Sequence, residues 1–279
     1  DGFFFAPTSA SAGQPTADGA AMTETPPGGE PNQVPQDIAD IPPDRGRREP
    51  VFNLAPAVLA LIAACAAIHL VRAEFLSGEQ DFALVLRLAF IPIRYTGGFA
   101  LDVWAFVSPF SYSLLHGGVV HLLVNCVWLA AFGSPLAYRI GAVRFLLFWA
   151  ATALGAVALH FALYPDSTTP LVGASGAISG MMGAAARFVF RIDRSAGRPA
   201  FTGPIVGIAD VFRSRQAVAF LGVWMAINLL VGFGFGAPED GQVAWEAHIG
   251  GLVVGFFGIR LFDRPQAPPA DPVETPDEA

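Results

Sequence analysis

Six stretches of this chain, at about 54–71, 113–132, 145–164, 172–190, 217–236 and 247–262, are long, apolar and almost free of charge. A helix needs about 20 residues to cross a ~30 Å hydrocarbon core, and ~17 can suffice. Four of the stretches meet that length comfortably. The last is short, and the fourth is short if counted from Ser175. Inside a bilayer every backbone N–H and C=O must find a partner within the protein, which leaves helices or a closed barrel. Runs of this length specify helices. The chain is therefore expected to be all-α, a polytopic membrane protein built as a six-transmembrane-helix bundle. Composition agrees: 53% of residues are hydrophobic and 14% charged, where a soluble domain carries about 25% charged residues.

The basic residues orient the spans. All 16 are Arg. With the N-terminal segment inside, 13 of the 16 fall on inner segments: Arg45, Arg47, Arg48, Arg139, Arg144, Arg187, Arg191, Arg194, Arg198, Arg213, Arg215, Arg260 and Arg264. Only Arg72, Arg87 and Arg94 fall outside. The positive-inside rule favours six spans with both termini cytoplasmic. One span more or fewer would scatter the arginines over both faces.

The remaining segments divide simply. Residues 1–50 are rich in Pro, Gly, Ala, Thr and acids, can bury little, and read as a disordered cytoplasmic tail. Met22 is a candidate start, and Phe3-Phe4-Phe5 is too short for a signal-peptide core. Residues 263–279 read as a second disordered cytoplasmic tail, leaving 51–262 as the membrane domain. The net charge of −7 belongs to these tails, which hold 13 of the 23 acidic residues, and implies no basic partner for the core. Residues 82–93 are apolar but interrupted by Arg87 and closed by Pro92, too short to cross. They are expected to lie at the interface within a large outer loop, 73–112. Residues 199–216 form a basic inner loop. With no basic stripe, nucleic-acid binding has no support. Cys65 and Cys126 lie in apolar runs without disulfide or metal-ligand spacing.

Polar residues at membrane depth are costly and commonly functional. Ser175 and His248 stand on the fourth and sixth spans, and His121 on the second. At 1.5 Å per residue, Ser175 lies about 24 Å from Arg191, His248 about 18 Å from Arg260, and His121 about 18 Å from a span end expected near Gly133 and Pro135. The three counts put these side chains at one level in the outer half of the bilayer. Spans four and six stop short of the outer surface, so a water-filled pocket is expected there, with the outer loop and 237–246 at its rim.

A Ser with a His is the minimum machinery for nucleophilic attack on a carbonyl. Their atoms must come within about 3 Å, and small residues let helices approach that closely. Gly176, Gly180 and Gly183 with Ala184 form one such stripe; Gly251 and Gly255 form another, on the face of His248. Ser175 lies near the start of its helix, where unpaired N–H groups favour negative charge. His121 and Asn125 are i, i+4 on span two, share a face and can both donate hydrogen bonds. With the Ser175 N–H they can form an oxyanion hole.

Three motifs taken together, Gly173-Ala174-Ser175-Gly176, His116 with His121-Leu122-Leu123-Val124-Asn125, and Ala247-His248-Ile249-Gly250-Gly251, resemble those of the rhomboid intramembrane serine proteases. The resemblance covers about 51–262, including span number and motif order. It implies Ser175 as nucleophile and His248 as general base, a dyad without Asp. It implies that His121, Asn125 and the Ser175 N–H hold the oxyanion, and that His116 orders the outer loop. It further implies transmembrane protein substrates, single-span and cut within the lipid bilayer. No cofactor, metal or nucleic acid is expected, and the expected location is a bacterial plasma membrane.

The sequence also departs from the family pattern. Trp104 is followed by Ala105 where the family often has Arg, and the spacing from Trp104 to His116 is longer. Four residues after the serine, where the family commonly places an aromatic that stacks on the imidazole, stands Ser179. Either another residue, such as a Phe from elsewhere, holds His248, or the ring is looser. Asn228 on span five is expected to bond a neighbouring helix. His69 and His160 are assigned to packing or hydrogen bonding. Glu246, close to His248 in sequence, is a candidate third triad member, but adjacent helical residues point about 100° apart, so it is expected at the pocket mouth or in water instead. The competing class is an inactive rhomboid-like protein that escorts membrane clients. A transporter lacks support, with no obvious ionisable pathway in the spans, as does a metalloprotease, with no HExxH. An aspartyl protease would need two buried Asp residues, and the spans offer none.

Overall fold

The structure, a computed structural model, describes residues 53–195, 197–234 and 243–263. The tails expected over 1–50 and 263–279 lie outside the described residues apart from Asp263, as does most of the expected rim at 237–246.

Pro56, with its ring-fixed φ, opens the first helix, α1 (Pro56–Glu74). The outer loop that follows is largely helical. In α2 (Gly78–Leu88), Ser77 and Gln80 close a reciprocal capping box, and Glu79 and Asp81 complement the positive end of the helix. A single turn, α3 (Ile93–Thr96), leads to α4 (Val103–Ser111), capped by the Asp102 carboxylate on the Ala105 N–H. Arg94 holds the loop together by donating to the Leu86 and Arg87 carbonyls and to Ser108 Oγ. The loop leaves Phe82, Phe99, Val103 and Phe106 exposed.

Span two is longer than its sequence implies. Helix α5 (Val119–Trp128) passes through a π-helical turn, Leu129–Gly133, into α6 (Ser134–Ile140). Gly133 and Pro135 were expected to end it. Instead the wide turn takes up the irregularity at the site of the missing Pro135 N–H, and the helix runs on to Gly141. The depth count for His121 from Gly133 therefore fails. Gly141 has φ +83°, a left-handed conformation suited to glycine, and forms the corner into α7 (Ala142–Leu163).

Helix α8 (Ser175–Arg187) has 13 residues and begins at the serine itself, later than the apolar run at 172. It ends before 190 because Val189 and Phe190 both take positive φ. The chain then makes a small antiparallel hairpin, β1 (Ile192–Asp193) with β2 (Ala200–Phe201), a minor addition to the expected all-α fold. Short α9 (Ile208–Arg213) precedes α10 (Arg215–Gly232), which Ser214 caps, and α11 (Trp245–Phe262) closes the bundle.

Each expected span is thus present as a helix. Four are long and apolar enough to cross a membrane: Pro56–Glu74, Val119–Ile140, Ala142–Leu163 and Arg215–Gly232. Helix α8, short and almost wholly buried, packs at the centre against α11. A Cβ on Gly251 would collide with the Gly176 carbonyl, and one on Gly255 with that of Gly180. On the other side of α11, Gly250 meets the carbonyl of Gly155 in α7. The expected glycine stripes are therefore the surfaces along which α8 and α11 run parallel, with both N-termini at the same end. The opposite end is tied by arginines. Arg139 makes a two-toothed pair with Asp263 at 2.7 and 2.8 Å, and Arg187 donates to Val206 and Phe256 carbonyls.

Candidate active site

Ser175 is the first residue of α8, and its approach is rigid. Phe90 and Leu171 exchange both backbone hydrogen bonds (3.2 and 2.8 Å), and the Gly173 N–H donates to the Tyr112 carbonyl at 3.0 Å. Gly173 takes φ +123°, and a Cβ there would sit 2.8 Å from Cε1 and Nε2 of His121. Only glycine satisfies both the backbone and the close ring. Gly176 faces Ala156 Cβ and the Tyr112 hydroxyl, so it too has no room for a side chain.

His248 stands in the first turn of α11. Its Nε2 is 2.8 Å from Ser175 Oγ. Both residues are half-buried. His121 and Ser175 Oγ lie on the same side of Gly173, the side a Cβ would fill. The three residues expected at one level are therefore brought together, by contact rather than by the depth counts.

Asn125 is buried, and its Nδ2 donates to the His121 carbonyl at 2.9 Å, leaving its second N–H for another acceptor. The Ser175 N–H, at the first position of α8, is a donor that helix geometry leaves without an internal partner. His116 is 1% exposed and its ring sits edge-on to His121 at 5.1 Å. Its two ring nitrogens have no partner among the described residues. Its carbonyl accepts from Arg72, which also pairs with Asp81 at 2.6 Å and so links α1, α2 and the turn before α5.

Three sequence features find partners that the sequence did not indicate. No aromatic ring among the described residues stacks on His248. Its Nδ1 is instead 2.6 Å from Asn228 Oδ1, so an amide from α10 holds the ring. Ser179, in the aromatic's place, donates to the Ser175 carbonyl at 2.8 Å. Asn228 does bond a neighbouring helix, as expected, but the neighbour is the imidazole itself. Second, Glu246 is not at the pocket mouth or in water. It is 3% exposed and its Oε1 is 2.6 Å from His160 Nδ1, which also gives His160 the partner its sequence did not reveal. The first turn of α11 winds so that residue 246 faces α7 while 248 faces α8. Third, the Trp104 indole does receive a guanidinium, but from Arg87, 5.9 Å from the ring centroid. Cys65 and Cys126 are both free. No group of three or more His, Cys, Asp or Glu with the geometry to hold a metal occurs among the described residues.

The match to known proteins agrees with this geometry. The Rhomboid domain model matches residues 100–264, more than half the chain and all of the site. The chain belongs to the rhomboid family. It is similar to the Rhomboid protease GluP of Bacillus subtilis (strain 168), 30% identical over 164 residues, 59% of this chain and 27% of that protein. It is 25% identical over 202 residues to the Rhomboid protease GlpG of Enterobacter sp. (strain 638), covering 72% of this chain and 61% of that one. It is 29% identical over 159 residues to RHOMBOID-like protein 6, mitochondrial, of Arabidopsis thaliana, covering 55% and 43%. The matched region thus spans between 27% and 61% of these relatives' lengths. A rhomboid with apolar helices long enough to cross a bilayer is an integral, polytopic membrane protein.

Proposed function

We propose that this rhomboid is an intramembrane serine endopeptidase, with Ser175 as nucleophile and His248 as general base. The observation that carries the reading is the 2.8 Å approach of Ser175 Oγ to His248 Nε2. That distance lies within the range required for proton transfer. Oγ attacks the carbonyl carbon of a peptide bond as its proton moves to Nε2. The tetrahedral oxyanion is received by the Ser175 N–H, His121 and the spare N–H of Asn125. The imidazolium gives its proton to the leaving amine, and an acyl-enzyme remains. Water, deprotonated by His248, then releases the acid and restores the serine.

The short helices that carry the site support a reading of the substrate class. Ser175 and His248 open helices whose other ends, Arg187 and Arg260, lie about 18 Å away, within the ~30 Å core. A peptide bond reaches that depth most readily as part of a transmembrane segment, so single-span membrane proteins are the proposed substrates. The arginine-tied end of the bundle, with Arg139, Arg144 and Arg187, is assigned to the cytoplasm. Both termini lie on that side in this reading, and 51–262 is the membrane domain.

The test is fluorophosphonate labelling of the detergent-purified protein together with cleavage of a reporter transmembrane substrate. Labelling and cleavage are expected in the wild type and are lost in Ser175→Ala and His248→Ala. A folded wild type that neither labels nor cleaves would overturn the reading in favour of a client-escort role.

A further inference from the structure

Four hydrogen-bonding groups lie in a row through the site. Asn228 Nδ2 is 2.9 Å from the carbonyl oxygen of Trp245, Asn228 Oδ1 is 2.6 Å from His248 Nδ1, and His248 Nε2 is 2.8 Å from Ser175 Oγ. The first contact fixes the direction of all the others. A carbonyl oxygen only accepts, so the amide nitrogen of Asn228 must face Trp245, and its oxygen must face the imidazole. That oxygen also only accepts, so His248 carries its proton on Nδ1. Nε2 is then unprotonated and accepts from the serine hydroxyl. This is the tautomer a general base requires.

We propose that Asn228 is a positioning residue of the active site, the third member of a Ser175–His248–Asn228 relay that sets the tautomer and orientation of the base. The proposal rests on the proteolytic reading above. Three observations favour it over ordinary helix packing. Asn228 is 6% exposed, although α10 buries only one other residue, Ala217. Both ends of its amide are engaged, and both partners belong to the first turn of α11. Its depth also fits: it lies 13 residues from Arg215, about 20 Å from the inner end of α10, close to the ~18 Å of Ser175 and His248.

An amide suits this position better than a carboxylate. A lone carboxylate at membrane depth is costly, whereas an amide with both ends paired leaves no unsatisfied polar atom. Its dipole steadies the imidazolium when that forms. Other titratable groups around His248 are His121 on α5 and, on its own helix, Glu246, which is taken up by His160 of α7. Among the described residues of α10 no charged group lies nearer to the ring than Asn228.

The experiment compares Asn228→Ala, Asn228→Leu and Asn228→Asp with the wild type. It reads kcat and KM on a reporter transmembrane substrate from pH 5 to 9, the fluorophosphonate labelling rate, and Tm. The Ala and Leu variants are expected to lose about 10- to 100-fold in kcat with KM within about threefold. Asn228→Asp is expected to recover at least tenfold of that loss. Its activity should rise at higher pH than in the wild type, because a carboxylate favours the imidazolium and the base must be neutral to act. Wild-type kcat in both Ala and Leu variants would overturn the proposal. So would losses that only track the unfolded fraction, or an Asp variant with neither rescue nor a moved pH profile. Ser175→Ala separates the two hypotheses: if it still cleaves, the proteolytic reading fails, whatever Asn228 does.

Discussion

Replacing Gly251 by Ala sets two effects of opposite sign against each other. In an open helix the change is favourable by up to about 1 kcal/mol, because alanine loses less backbone entropy. Here the new Cβ would meet the carbonyl of Gly176, and a backbone oxygen cannot rotate aside. Sideways escape is also blocked, since α11 touches α7 at Gly155 and Gly250. To restore ordinary contact near 3.5 Å the helices must part by roughly 1.5 Å. Overpacking of this kind costs about 1–3 kcal/mol, so with that gain set against it the net loss of stability is about 0–2 kcal/mol. The effect on rate is larger. Ser175 is adjacent to Gly176, and His248 is one turn before Gly251, so the parting acts directly on the 2.8 Å contact. A misplacement of about 1 Å can cost on the order of 100-fold. The expected outcome is a folded Gly251→Ala protein with labelling and cleavage slowed at least that much. Gly258→Ala is the control: on the same helix, its Cβ meets nothing within 4 Å, so activity should be unchanged and Tm equal or higher. A Gly251→Ala variant as fast as this control would refute the reasoning.

The remaining outcomes follow from individual contacts. His121→Ala and Asn125→Ala should each lower kcat by about 100-fold with little change in KM, since they act on charge that exists only in the transition state. Their double variant should lose less than the product of the two, because both donors act on the same developing oxyanion. His160→Ala should cost about 3 kcal/mol by leaving the Glu246 carboxyl buried without its partner. A Tm scan checks this, and a fall of under 2 °C would mean that the pair contributes little. Glu246→Gln, which keeps a hydrogen-bonding atom against His160, should be milder than His160→Ala.

Much of the site was legible because its signals are local. Gly176 and Gly180 of α8 recur four residues apart starting directly after Ser175, and the glycines of α11 follow His248, so sequence spacing alone puts small residues beside the reactive ones. What was not legible depends on how one helix is rotated against another. The residues of the His160–Glu246 pair are 86 positions apart, and nothing in either segment indicates that the first turn of α11 faces α7 with one residue and α8 with another. Asn228 was legible as a buried amide but not in its partner, because α10 is apolar on all sides and carries no stripe to set its rotation. The π-helical turn at Leu129–Gly133 was hidden for a different reason. Gly133 and Pro135 are ordinary stop signals, and the tertiary setting overrides them.

The shortness of α8 joins fold and chemistry. Its 13 residues span about 20 Å, so in a ~30 Å core at least one end lies inside the membrane, and in the proposed orientation that end is Ser175. The backbone before it is then irregular at a depth where every polar group needs a partner. The chain meets that demand group by group: Ser167 accepts from Ile93, Leu171 exchanges with Phe90, and the Gly173 N–H goes to Tyr112. The outer loop, which supplies all these partners, is thus part of the active-site wall rather than a cover over it. The pairing stops at the start of α8, where the first N–H groups, that of Ser175 among them, have no carbonyl of the helix to meet. A donor left over at that depth needs an acceptor from outside the bundle, from water or from the carbonyl of a bound peptide. The truncation that permits α8 to lie buried therefore also leaves free donors beside Ser175, where the proposed reaction places its negative oxygen.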